Sequence, residues 1–236
     1  MGGLIMKQNE KIKWSRIRTS LSLKDIAGHF KKNLVGESDN GYSEIELGHE
    51  YCSATYNERM IRNIISIDYN GNEFEQEVYE FYSVKFTILH LINNKFILSL
   101  SSPPKTLKPF IDSLSLGLNY DFGISSIDFD ITKFLHDFST NKKVTLLKVK
   151  KIKANSVVLS ETAKATIEVT SKDDALHDIS LLLNNREFSI DRIKISCLID
   201  EKRSEFEISK TGSFTSPSDS VDLIAEILHL QIFDKI

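Results

Sequence analysis

The sequence predicts an α+β protein built of two similar β-α-β-β-α halves, each with a mainly antiparallel sheet and helices packed on one face. Three observations carry this. Period-two apolar runs come in neighbouring pairs, Val84, Phe86 and Ile88 with Phe96, Leu98 and Leu100, then Ile193, Ile195, Cys197 and Ile199 with Phe206 and Ile208, as in strands with one buried face. After each pair comes a Ser-Pro step, Ser102-Pro103 or Ser216-Pro217, placed to start a helix. Counted from each proline, the apolar residues Leu107, Phe110, Ile111 and Leu114 match Val221, Ile224, Ala225 and Leu228 in offset.

The boundaries that follow are an N-terminal helical segment 1–41, a first α+β unit 42–116, a connecting segment 117–160 and a second α+β unit 161–236. In the first segment Ser22, with Asp25 three residues on, has the form of a capping box. Leu23, Ile26, Ala27 and Phe30 then give one apolar face of a short helix. Lys7, Lys11, Lys13, Arg16, Arg18, Lys24, Lys31 and Lys32 make this segment basic. The run Ser22-Leu23-Lys24-Asp25-Ile26-Ala27 resembles the first helix of bacterial helix-turn-helix proteins. A recognition helix should follow it, but the chain enters the turn cluster Gly36-Glu37-Ser38-Asp39-Asn40-Gly41 instead.

In the first unit, Glu44 to Leu47 reads as a strand and Tyr56 to Ile65 as a helix closed by Tyr69-Asn70-Gly71-Asn72. Residues 72–83 alternate acidic and aromatic side chains, a half-buried strand leading into the hairpin that turns at Asn93-Asn94. Aromatic residues at period two are expected in the core rather than on a contact surface.

The connecting segment holds a short strand at Ile124, Ile127 and Phe129 and a helix at Ile131, Phe134, Leu135 and Phe138, with Asp130 as its N-cap. Lys142 to Leu159 reads as an extended pair turning at Ala154-Asn155. It carries the densest basic cluster, Lys142, Lys143, Lys148, Lys150, Lys151 and Lys153, which either protects a sheet edge or lines up phosphates. Edge protection is the favoured reading, because formal net charge is −3 and pI about 6.1.

The second unit repeats the pattern with a strand from Ala165 to Thr170, a helix from Ser171 to Leu183 ended by Asn184-Asn185, and the hairpin and helix from Ile190 to Leu230. Thr211 to Pro217 reads as loop.

Catalytic signatures are missing. The six histidines, His29, His49, His90, His136, His177 and His229, have no zinc spacing to one another or to cysteine. His136-Asp137 and His177-Asp178 are neighbours that point in different directions on a helix. There is no phosphate loop, dinucleotide fingerprint or nucleophile elbow. Asp128 and Asp130 share one strand face, a geometry that suits a divalent ion, with Asp200, Glu205 and Glu207 as further carboxylates. The expected outward sheet positions, Lys85, Thr87, Lys95 and Ser99, then Lys194, Ser196, Glu205 and Glu207, are wrong for stacking bases.

With 236 residues and 41% hydrophobic content the chain is long enough for a proper core. No apolar run reaches membrane length, and Met1 to Lys7 is too short for a secretory signal and lacks the myristoylation pattern. Cys52 and Cys197 are expected as free thiols in a reducing cytoplasm. The sequence therefore points to a non-enzymatic binding or adaptor protein. It would act through sheet faces or edges on a protein partner, on a second copy of itself, or on nucleic acid through the six lysines, without a cofactor. The alternative is a divalent-metal-dependent phosphodiesterase or nuclease using carboxylates near Asp128 and Asp130.

Overall fold

In the computed structural model, which describes residues 9–36, 39–91, 95–184, 186 and 188–233, eleven strands and five helices form a mixed α+β architecture. Neighbouring strands pair antiparallel. The chain divides into two compact units, a first of residues 15–125 and a second made of the segment up to Trp14 with residues 126–236. The division falls inside strand β1 (Asn9–Arg18). The turns expected at Asn93-Asn94, Glu37-Ser38 and Asn185 lie outside the described residues, as does Lys7.

The first unit continues with helix α1 (Leu23–Lys32), strands β2 (Asn40–Leu47), β3 (Tyr51–Ile67), β4 (Glu73–His90) and β5 (Lys95–Ser101), helix α2 (Lys108–Gly117) and the short strand β6 (Gly123–Ser126). Its sheet order is β2-β3-β4-β5-β1, with β6 beside β1. Helix α1 begins where the capping box was expected. The Ser22 hydroxyl accepts from the Asp25 N–H, and the Asp25 carboxylate accepts from the Ser22 N–H, both at 3.2 Å. Ile26, Ala27 and Phe30 follow on one stripe and are buried. They pack with Phe110 and Leu114 of α2 against the alternating inward residues Tyr42, Ala54, Tyr56, Val84, Phe86 and Leu98. Phe86 lies at the centre, its ring 4.8 Å from Phe110 and 5.4 Å from Phe30. Helix α2 starts at Lys108, with proline at the first-turn position, and not at Ser102-Pro103.

Two elements of this unit differ from expectation. Strand β1 was not anticipated because its buried positions change parity, Ile12 and Trp14 followed by Ser15 and Ile17, which breaks the alternation that marks a strand. Tyr56 to Ile65 is strand rather than helix and belongs to β3. Its apolar residues fall at helical spacing because this part of β3 carries apolar side chains on both faces, yet Ile61, Ile64, Ile65 and Ile67 are β-branched and favour the extended chain.

The second unit comprises helix α3 (Ile131–Ser139), strands β7 (Val144–Val158) and β8 (Lys164–Thr170), helix α4 (Ala175–Leu183), strands β9 (Ser189–Ile199), β10 (Lys202–Ser209) and β11 (Ser213–Pro217), and helix α5 (Val221–Phe233). From β1 its order runs β11-β10-β9-β7-β8. Asp130 caps α3 as expected, its carboxylate accepting from the N–H groups of Thr132 (2.9 Å) and Lys133 (3.1 Å). Lys142 to Leu159 is not a pair of strands. The Ala154-Asn155 signal marks a β-bulge inside the single strand β7, with Ser156 in the left-handed region at φ 56°. Thr211 to Pro217 is only partly loop. Ser213–Pro217 pairs with both β10 and β1, and its five residues are too few and too polar to show as a strand in the sequence. Helix α5 accordingly starts at Val221, after a 3-10 turn at Ser218–Ser220, and Ser216 is a buried strand residue and not a cap. The expected strand at Ile124 ends at Ser126, and Ile127 and Phe129 are buried beyond it.

Candidate partner-binding surface

Strand β7 is flanked by β8 along residues 151–158 and by β9 along most of its length, so Lys151 and Lys153 lie between two strands, whereas Lys148 lies on the stretch paired with β9 alone and Lys142 and Lys143 precede the strand. Lys151 meets Glu168 at 2.7 Å, Lys153 meets Asp191 at 3.5 Å, and the Lys150 ammonium donates to the Lys172 carbonyl at 2.6 Å. Lys142, Lys143 and Lys148 are exposed. On the neighbouring strands Arg192 pairs with Glu207 at 3.0 Å and Lys194 with Glu205. Lys151 and Lys153 are thus paired with carboxylates from other strands, as are Arg192 and Lys194 beside them.

Those pairings also bear on the carboxylates. Glu205 and Glu207 are held by basic partners on β9, Asp130 is occupied with the first turn of α3, and Asp128 lies 4.0 Å from the Lys210 ammonium. A shallow cleft of about 530 Å³ passes Asp128, Asp130, Ile190 and Lys210. Among the described residues no group of three or more His, Cys, Asp or Glu side chains is placed to hold a metal ion.

A second cleft, of about 590 Å³, lies in the first unit beside α1 and α2. The Tyr42 hydroxyl is 3.3 Å from the Ser113 hydroxyl, and Tyr56 donates to Glu58 at 2.9 Å. Burial pushes the Tyr42 phenol up to about 12 and that of Tyr56 higher still, so both remain protonated donors and neither serves as a base for Ser113. The two cysteines are buried and unbridged, and burial raises each thiol to about 11, which leaves them protonated and poor nucleophiles.

The feature with an obvious interactive chemistry is one the sequence reading placed in the core. Strands β3 and β4 are far longer than their neighbours. The pairing of β2 ends at Glu58, and that of β5 covers only residues 85–90 of β4. Beyond these points β3 and β4 run on as a two-stranded arm, in register from Arg59 opposite Phe81 to Ile67 opposite Glu73. At its tip the Asp68 carboxylate accepts from the N–H groups of Asn70 (2.8 Å) and Asn72 (2.9 Å), and Gly71 takes the positive φ of 87° that the turn demands. Those hydrogen bonds hold the Asp68 carboxyl below the usual carboxylate range.

Directly opposed residues share a face. One face of the arm carries Ile61, Ile65, Ile67, Tyr79 and Phe81, and the other Met60, Ile64, Phe74 and Val78. Ile65 and Ile67 are each 67% exposed and Phe81 is 83% exposed. The aromatics of residues 72–83 are therefore mostly outside the core, Tyr82 being the buried exception. Their period-two pattern looked like one buried face, but the core that α1 and α2 form over the sheet includes no residue of β4 before Tyr82. The Arg59 guanidinium sits 5.4 Å over the Tyr79 ring, and Arg62 pairs with Glu80 at 3.1 Å, fixing the two strands to each other across the arm.

No family model matches the chain, and no curated protein sequence matches it. Among the described residues no helix is long and apolar enough to cross a membrane.

Proposed function

We propose that this is a non-enzymatic binding or adaptor protein that holds a protein partner through the β3–β4 arm of its first unit. One observation carries the reading: a ribbon of two strands exposes isoleucine and phenylalanine on both faces and tyrosine on one, and no described strand lies along either of its edges. A two-stranded ribbon gains little stability alone in water, and contiguous exposed apolar surface of this kind marks contact sites. Open edges add backbone donors and acceptors that an incoming strand would satisfy. The carboxylates paired with Lys151, Lys153, Arg192 and Lys194 favour a protein partner over nucleic acid, because they reduce the basic excess of that face.

The test is a photo-crosslinking amino acid placed at Tyr79 or Phe81 of the full chain in cells, with Lys85 and Lys194 as control positions. Discrete crosslinked protein species at the arm and none at the controls are expected. Equal yields at all four positions would overturn the reading.

We also infer an internal duplication, confined to hairpin and following helix. The matched offsets support it, since Phe110 and Leu114 are the fully buried residues of α2 and their counterparts Ile224 and Leu228 are fully buried in α5. The inserted strand β11 and the replacement of the expected Tyr56 helix by β3 limit the repeat to those elements.

A further inference from the structure

The two edges of the arm differ in kind. Along β4 the outer edge carries Glu73, Glu75 and Glu77, whereas residues 59–67 of β3 include no acidic side chain and two arginines, Arg59 lying over Tyr79 and beside Asp39 and Arg62 paired with Glu80. The backbone of β3 also has a definite direction. Asp68 donates its N–H across the hairpin to the Asn72 carbonyl at 2.9 Å, while Arg59 donates outward to the Asp39 carbonyl at 2.7 Å. Direction alternates along a strand, so Ile61, Asn63, Ile65 and Ile67 all aim their N–H and C=O groups away from β4. No described strand lies against that stretch.

We propose that the occupant of this edge is a second copy of the chain, with β3 pairing antiparallel to itself about a two-fold axis at Ile64. This rests on the reading of the arm as a contact surface and names what covers one side of it. In that register Ile61 faces Ile67 of the second copy, Asn63 faces Ile65, Arg62 faces Ser66, and Ile64 faces itself. All four outward-directed residues are then paired, giving eight backbone hydrogen bonds in an isologous interface that closes. A register centred on Arg62 would set two arginines opposite each other. Pairing β4 with β4 would bring Glu73, Glu75 and Glu77 of both copies onto one seam, and like charges directly opposed are destabilising. Pairing β3 of one copy with β4 of the next leaves an open edge at each end and does not close.

Cysteine at position 64 tests this directly. Ile64 is solvent-accessible, and the native cysteines are buried and will not compete. The full chain carrying Ile64→Cys should form a disulfide-linked dimer under mild oxidation. Gln76→Cys, opposite Ile64 on the same face of the arm but on the acidic edge, should stay monomeric. Sedimentation velocity should show wild-type protein dimerising in the tens of micromolar or below, and the double variant Ile61→Arg, Ile65→Arg monomeric with an unchanged circular dichroism spectrum. A wild-type monomer throughout that range, or equal crosslinking at positions 64 and 76, would overturn the proposal. If the wild type is monomeric while crosslinks from Tyr79 or Phe81 to other proteins persist, self-pairing fails and the binding function stands. If both fail, the arm is not a contact surface.

Discussion

His229 stacks flat on Trp14, ring centroids 4.5 Å apart and planes 5° from parallel, and its Nε2 is buried with no hydrogen-bond partner among the described residues. Burial therefore lowers its pKa below 6.5, and His29 in the first unit is shifted the same way by burial and by the nearby Lys32. A histidine whose folded pKa is depressed binds its proton more readily in the unfolded chain. Its contribution to stability is intact above about pH 6.5 and is lost as pH falls from there toward the folded value. Urea midpoints should accordingly drop between pH 7.5 and 5.5. His229→Phe, which keeps an aromatic ring on Trp14 but cannot titrate, should make that drop shallower; an unchanged slope would remove His229 as the cause. Trp14 is the single tryptophan, so its fluorescence reports this neighbourhood without ambiguity.

At the scale of elements, the caps were the most legible feature, because a cap is written in three or four consecutive residues. Ser22 with Asp25 and Asp130 before Ile131 needed no knowledge of the rest of the fold. Asp130→Ala should cost about 1 kcal/mol through loss of the α3 cap, while Asp130→Asn should keep most of it, asparagine being a good cap in its own right. A metal-binding carboxylate would show the opposite tolerance, asparagine failing with alanine, so chemical denaturation of the two variants separates the roles. Strands were harder to read wherever their neighbours decide what is buried. β3 carries isoleucines on both faces, β7 hides a bulge behind a turn-like Ala154-Asn155, and β11 exists only because β1 and β10 flank it. No local pattern distinguishes those cases, since the deciding neighbours are other strands, as far off in the chain as β1 is from β11.

At the scale of the molecule, both units pair strands antiparallel, and the class of fold was legible from hairpins followed by helices. The exposed arm was not, because the same aromatic alternation describes a covered strand and a protruding one, and the lengths of β2 and β5 tell them apart. Charge is also misread one strand at a time. In the cluster from Lys142 to Lys153, Lys151 and Lys153 gain carboxylate partners in Glu168 and Asp191 that their own strand does not reveal, while Lys142, Lys143 and Lys148 stay exposed. Fluorescence anisotropy with single-stranded DNA, double-stranded DNA and RNA should show no steeply salt-dependent binding. A steep salt slope removed by charge reversal at Lys148, Lys150 and Lys151 would restore the nucleic-acid reading.

The arm also keeps time. Along β3 the amides of Met60, Arg62, Ile64 and Ser66 face β4, while those of Ile61, Asn63, Ile65 and Ile67 face outward, so deuterium should enter the strand at every second residue. In dilute protein, nuclear magnetic resonance should read that as a fast and slow beat along a single strand. Whatever occupies the edge would slow the fast beats alone, and the concentration at which the rhythm flattens would give the affinity of the occupant without any label attached to it.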